Sequence, residues 1–166
     1  KFKKLPLMRV SETAISVAGR NVFNDWMRDL FEVFEPTDAH KKLGDFRWRA
    51  ILSTNYDLLV ERAYGPGSLQ KLVTRVKDDE PIETMLRKHT HPLEYVKLHG
   101  CVNHVHDKDI PLVLTPESYN DHEANRQDMY GRLESLGREY SIIFCGHSLD
   151  DLHIRRLVEN PRYKSR

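Results

Sequence analysis

Between residues 22 and 34, apolar side chains fall at Val22, Phe23, Trp26, Met27, Leu30, Phe31 and Phe34. That spacing predicts a helix that buries one broad, partly aromatic face, and Pro36 ends it. A polar connection follows, from Thr37 to Asp45. The pattern then changes. Arg49 to Thr54 reads as a buried strand, and Leu58 to Tyr64 reads as a helix closed by Gly65-Pro66-Gly67. Residues 68–93 are polar and show no clear period. Glu94 to Leu98 is a second strand and Pro111 to Leu114 a short third one. Thr115-Pro116-Glu117 signals a helix start, with Thr as cap and Pro at the first helical position. Met129, Leu133, Leu136 and Tyr140 fit one helix face. Ser141 to Cys145 is the most apolar strand candidate, and a last helix begins near Asp150. Strands alternating with helices predict an α/β fold: a Rossmann-like parallel sheet with helices on both faces. No internal repeat or low-complexity tract interrupts it.

Composition narrows the picture. The chain has 166 residues, 39% hydrophobic and 31% charged, which suits a single domain with a real core. Its 26 basic and 25 acidic residues leave a formal charge of +1. Such a balance gives no electrostatic footprint for nucleic acid or an anionic membrane. The basic ends, Lys1 to Lys4 and Arg162 to Arg166, read as solvated flanks. No stretch approaches the roughly 20 apolar residues of a membrane helix, and Lys1 to Val10 lacks the apolar segment expected of a signal peptide. Cys101 and Cys145 are the only cysteines. With no Cys-x-x-Cys pair a zinc ribbon is excluded; the two cysteines allow one disulfide, but two thiols in a reducing cytoplasm fit better.

The candidate chemistry sits at the strand ends. Three predicted strands finish in small or polar residues: Thr54-Asn55-Tyr56-Asp57, His99-Gly100 and Gly146-His147-Ser148. In open parallel sheets, ligands bind outside the carboxyl ends of the strands, so the three tips are expected to line one crevice. Each tip also has a purely structural reading. Asn55 and Asp57 could form an Asx-type turn capping the next helix. His99 could be a core histidine bonded to backbone, and Asp150 a helix cap.

The segments STNYDLLVERAY, YVKLHG, LVLTPESY and SIIFCGHSLDDLHI occur in an order and spacing that resemble the sirtuin-like NAD-consuming domains of bacterial antiphage effectors. The resemblance covers roughly residues 22–157. It implies that Asn55 orients the nicotinamide ribose or an attacking water, and that His99 is the general base. It also implies NAD contacts at Thr54, Asn55, Asp57, His99, Gly146, Ser148 and Asp150. The activity implied is cleavage of the nicotinamide–ribose bond, with NAD as substrate and no metal. Nicotinamide is already a cationic leaving group, so the protein must position the ribose, exclude bulk water and supply a base. An oxocarbenium-like transition state suits that task, and so does histidine as a residue type, with its unperturbed pKa of about 6.5.

Two departures from the family pattern bear on this expectation. The glycine-rich phosphate loop is missing, and Val17-Ala18-Gly19-Arg20 is a poor substitute. Residues 1–166 are therefore expected to be a single sirtuin-like domain, a fragment lacking that loop. The four zinc cysteines of sirtuin deacylases are also missing, which favours NAD hydrolysis or cyclisation over deacylation. The implied setting is a cytoplasmic effector, gated by homo-oligomerisation or by a partner, without a nucleic-acid or membrane site.

Other readings are weaker. Gly146-His147-Ser148-Leu149-Asp150 resembles a nucleophile elbow, but its second Gly is an Asp and only His153 follows to complete a triad. Residues 99–109 (HGCVNHVHDKD) gather His, Cys and Asp in a stretch that reads as a solvated loop rather than a metal site. A non-enzymatic alternative keeps the sheet and binds a nucleotide or partner without turnover.

Overall fold

The computed structural model describes residues 6–121, 123–149 and 151–159. The chain divides into two compact units, Lys1–Gln127 and Asp128–Arg166. Among the described residues, no helix is long and apolar enough to cross a membrane.

The first unit holds a parallel sheet of three strands, β1 (Ile51–Ser53), β2 (Lys71–Arg75) and β3 (Pro92–Lys97), in the order β1-β3-β2. Ser53 pairs with Lys97, and Arg75 with Val96, so all three strands finish at one edge. Helix α4 (Leu59–Ala63) joins β1 to β2, and α5 (Ile82–Arg87) joins β2 to β3. The chain passes β3's position and then returns to it. Right-handed crossovers running in opposite directions put their helices on opposite faces. This is the Rossmann-like α/β arrangement that the alternating pattern predicts.

β3 is the central strand and the core runs through it: Leu93, Tyr95 and Val96 are buried, as is Leu98 just beyond its end. Ahead of the sheet lie α1 (Leu7–Ala18), α2 (Arg20–Glu32) and α3 (Asp38–Lys42). Phe23 and Met27 of α2 pack with Val102, Val105, Leu112 and Leu114. The broad buried face predicted for this helix is narrower than expected. Val22, Trp26 and Phe34 lie exposed, Trp26 at 55%.

Pro111 to Leu114, predicted as a strand, is buried but not a strand. Side chains take up much of its backbone bonding. The Tyr56 hydroxyl donates to the Val113 carbonyl (2.6 Å), Arg126 donates to that of Pro111 (2.8 Å), and the Leu114 amide donates to Ser118 Oγ (2.9 Å). The helix start after it is as the sequence predicts. In α6 (Pro116–Asn120), Thr115 and Ser118 form a reciprocal capping box.

The second unit contains α8 (Leu152–Glu159) and nearly all of α7 (Gln127–Glu139). Met129, Leu133 and Leu136 form the buried face of α7, while Tyr140 is exposed. Ser141 to Cys145 is not a strand, and Ile142, Ile143 and Phe144 are exposed. An apolar run becomes a strand only where neighbouring backbone completes its hydrogen bonds, and none of the three described strands lies in this unit.

Candidate functional site

The carboxyl ends of β1 and β3 are laced together beyond the sheet proper. The Leu98 amide donates to the Ser53 carbonyl (2.9 Å), and the Val102 amide to the Tyr56 carbonyl (2.9 Å). Thr54, Asn55, Asp57 and His99 therefore share one sheet edge. Asn55 is exposed, Thr54 is half-buried, and Asp57 and His99 are buried.

Local chemistry shapes each tip. The Asn55 amide donates to Ser53 Oγ (3.0 Å), which turns the chain away from the strand. Asp57 Oδ1 accepts from the Leu59 amide (2.9 Å), an Asx turn at the start of α4. The helix-capping reading of Asp57 thus describes one contact it makes. His99 is 5% exposed and meets Tyr119 of α6 edge-on, with ring centroids 5.7 Å apart. The Val113 amide donates to the His99 carbonyl (3.1 Å).

Gly100 makes the turn possible. Its φ is +91°, and an added Cβ would lie 3.2 Å from Leu112 Cδ2. A side chain here would be both strained and crowded.

Beside this edge, on the side of α4, is a hollow of about 310 Å³ lined by Leu58, Glu61, Thr74, Val76, Cys101 and His104, among others. That volume is at the lower end for small-ligand sites. Asn55 and His99 are not among its lining residues. Burial pushes the Cys101 thiol above its usual range, so it is no ready nucleophile. A second hollow, of about 360 Å³, carries Asp78, Asp79 and Asp109 against one cation, Lys77. Three carboxylates there are a poor match for a diphosphate.

Farther along the histidine-rich loop, side chains are engaged away from this edge. His106 Nε2 lies 2.9 Å from Asp25 Oδ1, and Asp107 Oδ1 accepts from the Asp109 amide (3.0 Å). Gly19, in the weak substitute for the phosphate loop, has φ +85° and joins α1 to α2. It is a helix-to-helix link rather than a strand-to-helix loop.

Gly146 and Ser148 belong to the second unit, and Asp150 lies outside the described residues. Gly146 has φ +64° and Leu149 φ +59°, with His147 Nδ1 accepting from the Leu149 amide (2.9 Å). Asp151 Oδ1 accepts from the Ile154 amide (3.1 Å) and so caps α8. The elbow reading gains nothing, because His153 falls within α8, only five positions after Ser148.

Sequence reasoning overlooked Lys97 and Glu61. The Lys97 ammonium donates to Glu61 Oε1 (3.0 Å) and to the Asp57 carbonyl. Its signal was a lysine ending a strand that is otherwise largely apolar.

A model of the SIR2-like domain family matches residues 49–166. The chain is also similar to Defense-associated sirtuin 2 of Bacillus subtilis, 24% identical over 152 residues. The match covers 91% of this chain and 14% of that protein, so the chain spans about a seventh of that relative's length. By its fold and by the family match, the chain belongs to the SIR2-like domain family.

Proposed function

We propose that this chain is the NAD-cleaving domain of an antiphage effector, an NAD glycohydrolase that releases nicotinamide and leaves ADP-ribose. The observation that carries the reading is the knitting of the Asn55 turn to the His99 strand end at the carboxyl edge of a SIR2-like sheet. SIR2-like domains use NAD, and the similar Bacillus protein is by its name a defence-associated sirtuin.

In this mechanism Asn55 holds the nicotinamide ribose or the attacking water. The C1′–N bond to nicotinamide breaks as positive charge spreads onto the ribose ring. His99 accepts the water's proton as the new C1′–O bond forms, and nicotinamide leaves neutral. Thr54 and Asp57 contact the cofactor from the same turn. The domain acts in the cytoplasm, and its activity is gated by self-association or by a partner.

The test is release of free nicotinamide from NAD by the native full-length protein. Asn55→Ala and His99→Ala should each lower the rate at least about 100-fold while the unfolding transition stays cooperative. Wild-type turnover in a folded His99→Ala protein removes the mechanism. Tight nucleotide binding without release, under every triggering condition tried, favours a silent binding module instead.

A further inference from the structure

We propose that Lys97 is a positioning residue: with Glu61 it clamps the turn that carries Asn55 against the strand end that carries His99. This deepens the NAD-cleavage reading and rests on it.

Lys97 is the last residue of β3, two positions before His99, and pairs with Ser53, the last residue of β1. It is 0% exposed. Its ammonium donates to the Asp57 carbonyl, two positions after Asn55, and to Glu61 Oε1 in α4 (3.0 Å). The Tyr95 ring lies 5.7 Å away on the same face. One side chain therefore touches the turn, the strand and the following helix.

Stability alone is a poor reason for this arrangement. Desolvating the buried Lys97 ammonium is costly even beside the half-buried Glu61 carboxylate, and well-packed apolar replacements for such a pair are often neutral or stabilising. An apolar pair lacks a directed bond to the Asp57 carbonyl, a bond that acts with the Val102–Tyr56 backbone bond to hold the turn. Placement matters to this chemistry, since a shift of about 1 Å in a reacting group can cost about 100-fold in rate. Glu61 neutralises the ammonium and aims it.

The test compares the native full-length protein with Lys97→Met/Glu61→Leu, which removes both charges and leaves neither stranded. The single variant Lys97→Met leaves the Glu61 carboxylate without its ammonium and is expected to fold poorly, so the double variant carries the result. Two readouts are needed. In nicotinamide release, kcat should fall at least tenfold while KM changes less than threefold. In amide hydrogen exchange, residues Asn55 to Leu59 should exchange at least tenfold faster, with the global unfolding midpoint unchanged or raised.

Wild-type kcat in the double variant overturns the proposal, and so does unchanged exchange across that turn. If the wild-type protein releases no nicotinamide, the functional reading fails. The exchange experiment then decides by itself whether the clamp exists.

Discussion

β3 and the segment Ser141–Cys145 invite comparison because their sequences point the wrong way. β3 reads Pro-Leu-Glu-Tyr-Val-Lys and carries two charges, yet every residue after its Pro is buried. Ser-Ile-Ile-Phe-Cys carries none, and Ile143 is 69% exposed. Hydrophobicity does not separate them; the supply of hydrogen-bonding neighbours does. β3 has a parallel partner on each side, so its backbone is satisfied and its side chains are covered. Even its lysine is tolerated, because Glu61 and the Asp57 carbonyl receive the ammonium. Ser141–Cys145 joins no ladder among the described residues.

The sharpest way to break this contrast is to cut the same kind of side chain from both segments. Leu93→Ala in β3 should cost about 2–5 kcal/mol, the usual range for a buried leucine with a residual cavity. Ile143→Ala should stay within about 0.5 kcal/mol, as exposed sites do. Urea denaturation of the two variants measures both. Equal losses would mean that Ile143 is as well covered as Leu93, and the contrast would collapse.

Gly100→Ala probes the covered end of β3 more finely. The left-handed backbone alone should cost about 1–2 kcal/mol, and the contact with Leu112 adds to it. A thermal melt of this variant should show a clear drop. An unchanged melting temperature would mean that the turn after His99 tolerates a Cβ, against the geometry described above.

Asp57→Ala tests the turn itself. Losing the acceptor for the Leu59 amide should cost about 1 kcal/mol, whereas Asp57→Asn keeps an acceptor and most of the stability. If Asp57→Asn retains stability but loses nicotinamide release, Asp57 contacts the cofactor as well as holding the turn. If both properties survive, its work is the turn alone.

These strand ends explain what could be read in the sequence. β1, α2, α4, β3 and α6 carry local signals strong enough to identify them: an apolar run before a polar turn, a period of 3.6, a Thr-Pro cap. The adjacency of the Asn55 and His99 tips was legible too, since parallel strands place like ends together. β2 escaped because Lys71, Thr74 and Arg75 hide its character. Arg75 is buried all the same, its guanidinium donating to the carbonyls of Lys77 (3.3 Å) and Asp78 (3.1 Å). α1 escaped beside a basic terminus, and α5 within a charged stretch. Pro111–Leu114 and Ser141–Cys145 misled for the opposite reason: side-chain composition signals burial or apolarity, while strand formation depends on which backbone lies alongside. Lys97 was invisible because its partners, Asp57 and Glu61, lie 40 and 36 positions away.

The smallest expected effect is on the open surface of the first unit, where charge pairs are half in water. His106 lies 2.9 Å from Asp25 Oδ1, and both side chains are about half exposed. That hydrogen bond, helped by nearby Arg28, holds the Asp25 carboxyl below its ordinary value. A carboxyl depressed in the folded state stabilises the fold above its unfolded pKa of about 3.9. The contribution disappears as pH falls through the lower, folded value. Solvent screens such a pair, so its thermodynamic weight is slight beside that of Leu93. Titration of the Asp25 carboxyl by NMR should show a value below the ordinary range in the wild type and a return toward it in His106→Ala. The melting temperature at neutral pH should barely move. A loss as large as that of Gly100→Ala would mean that this surface contact matters as much as the covered strand end, and would erase the contrast between open and covered chain.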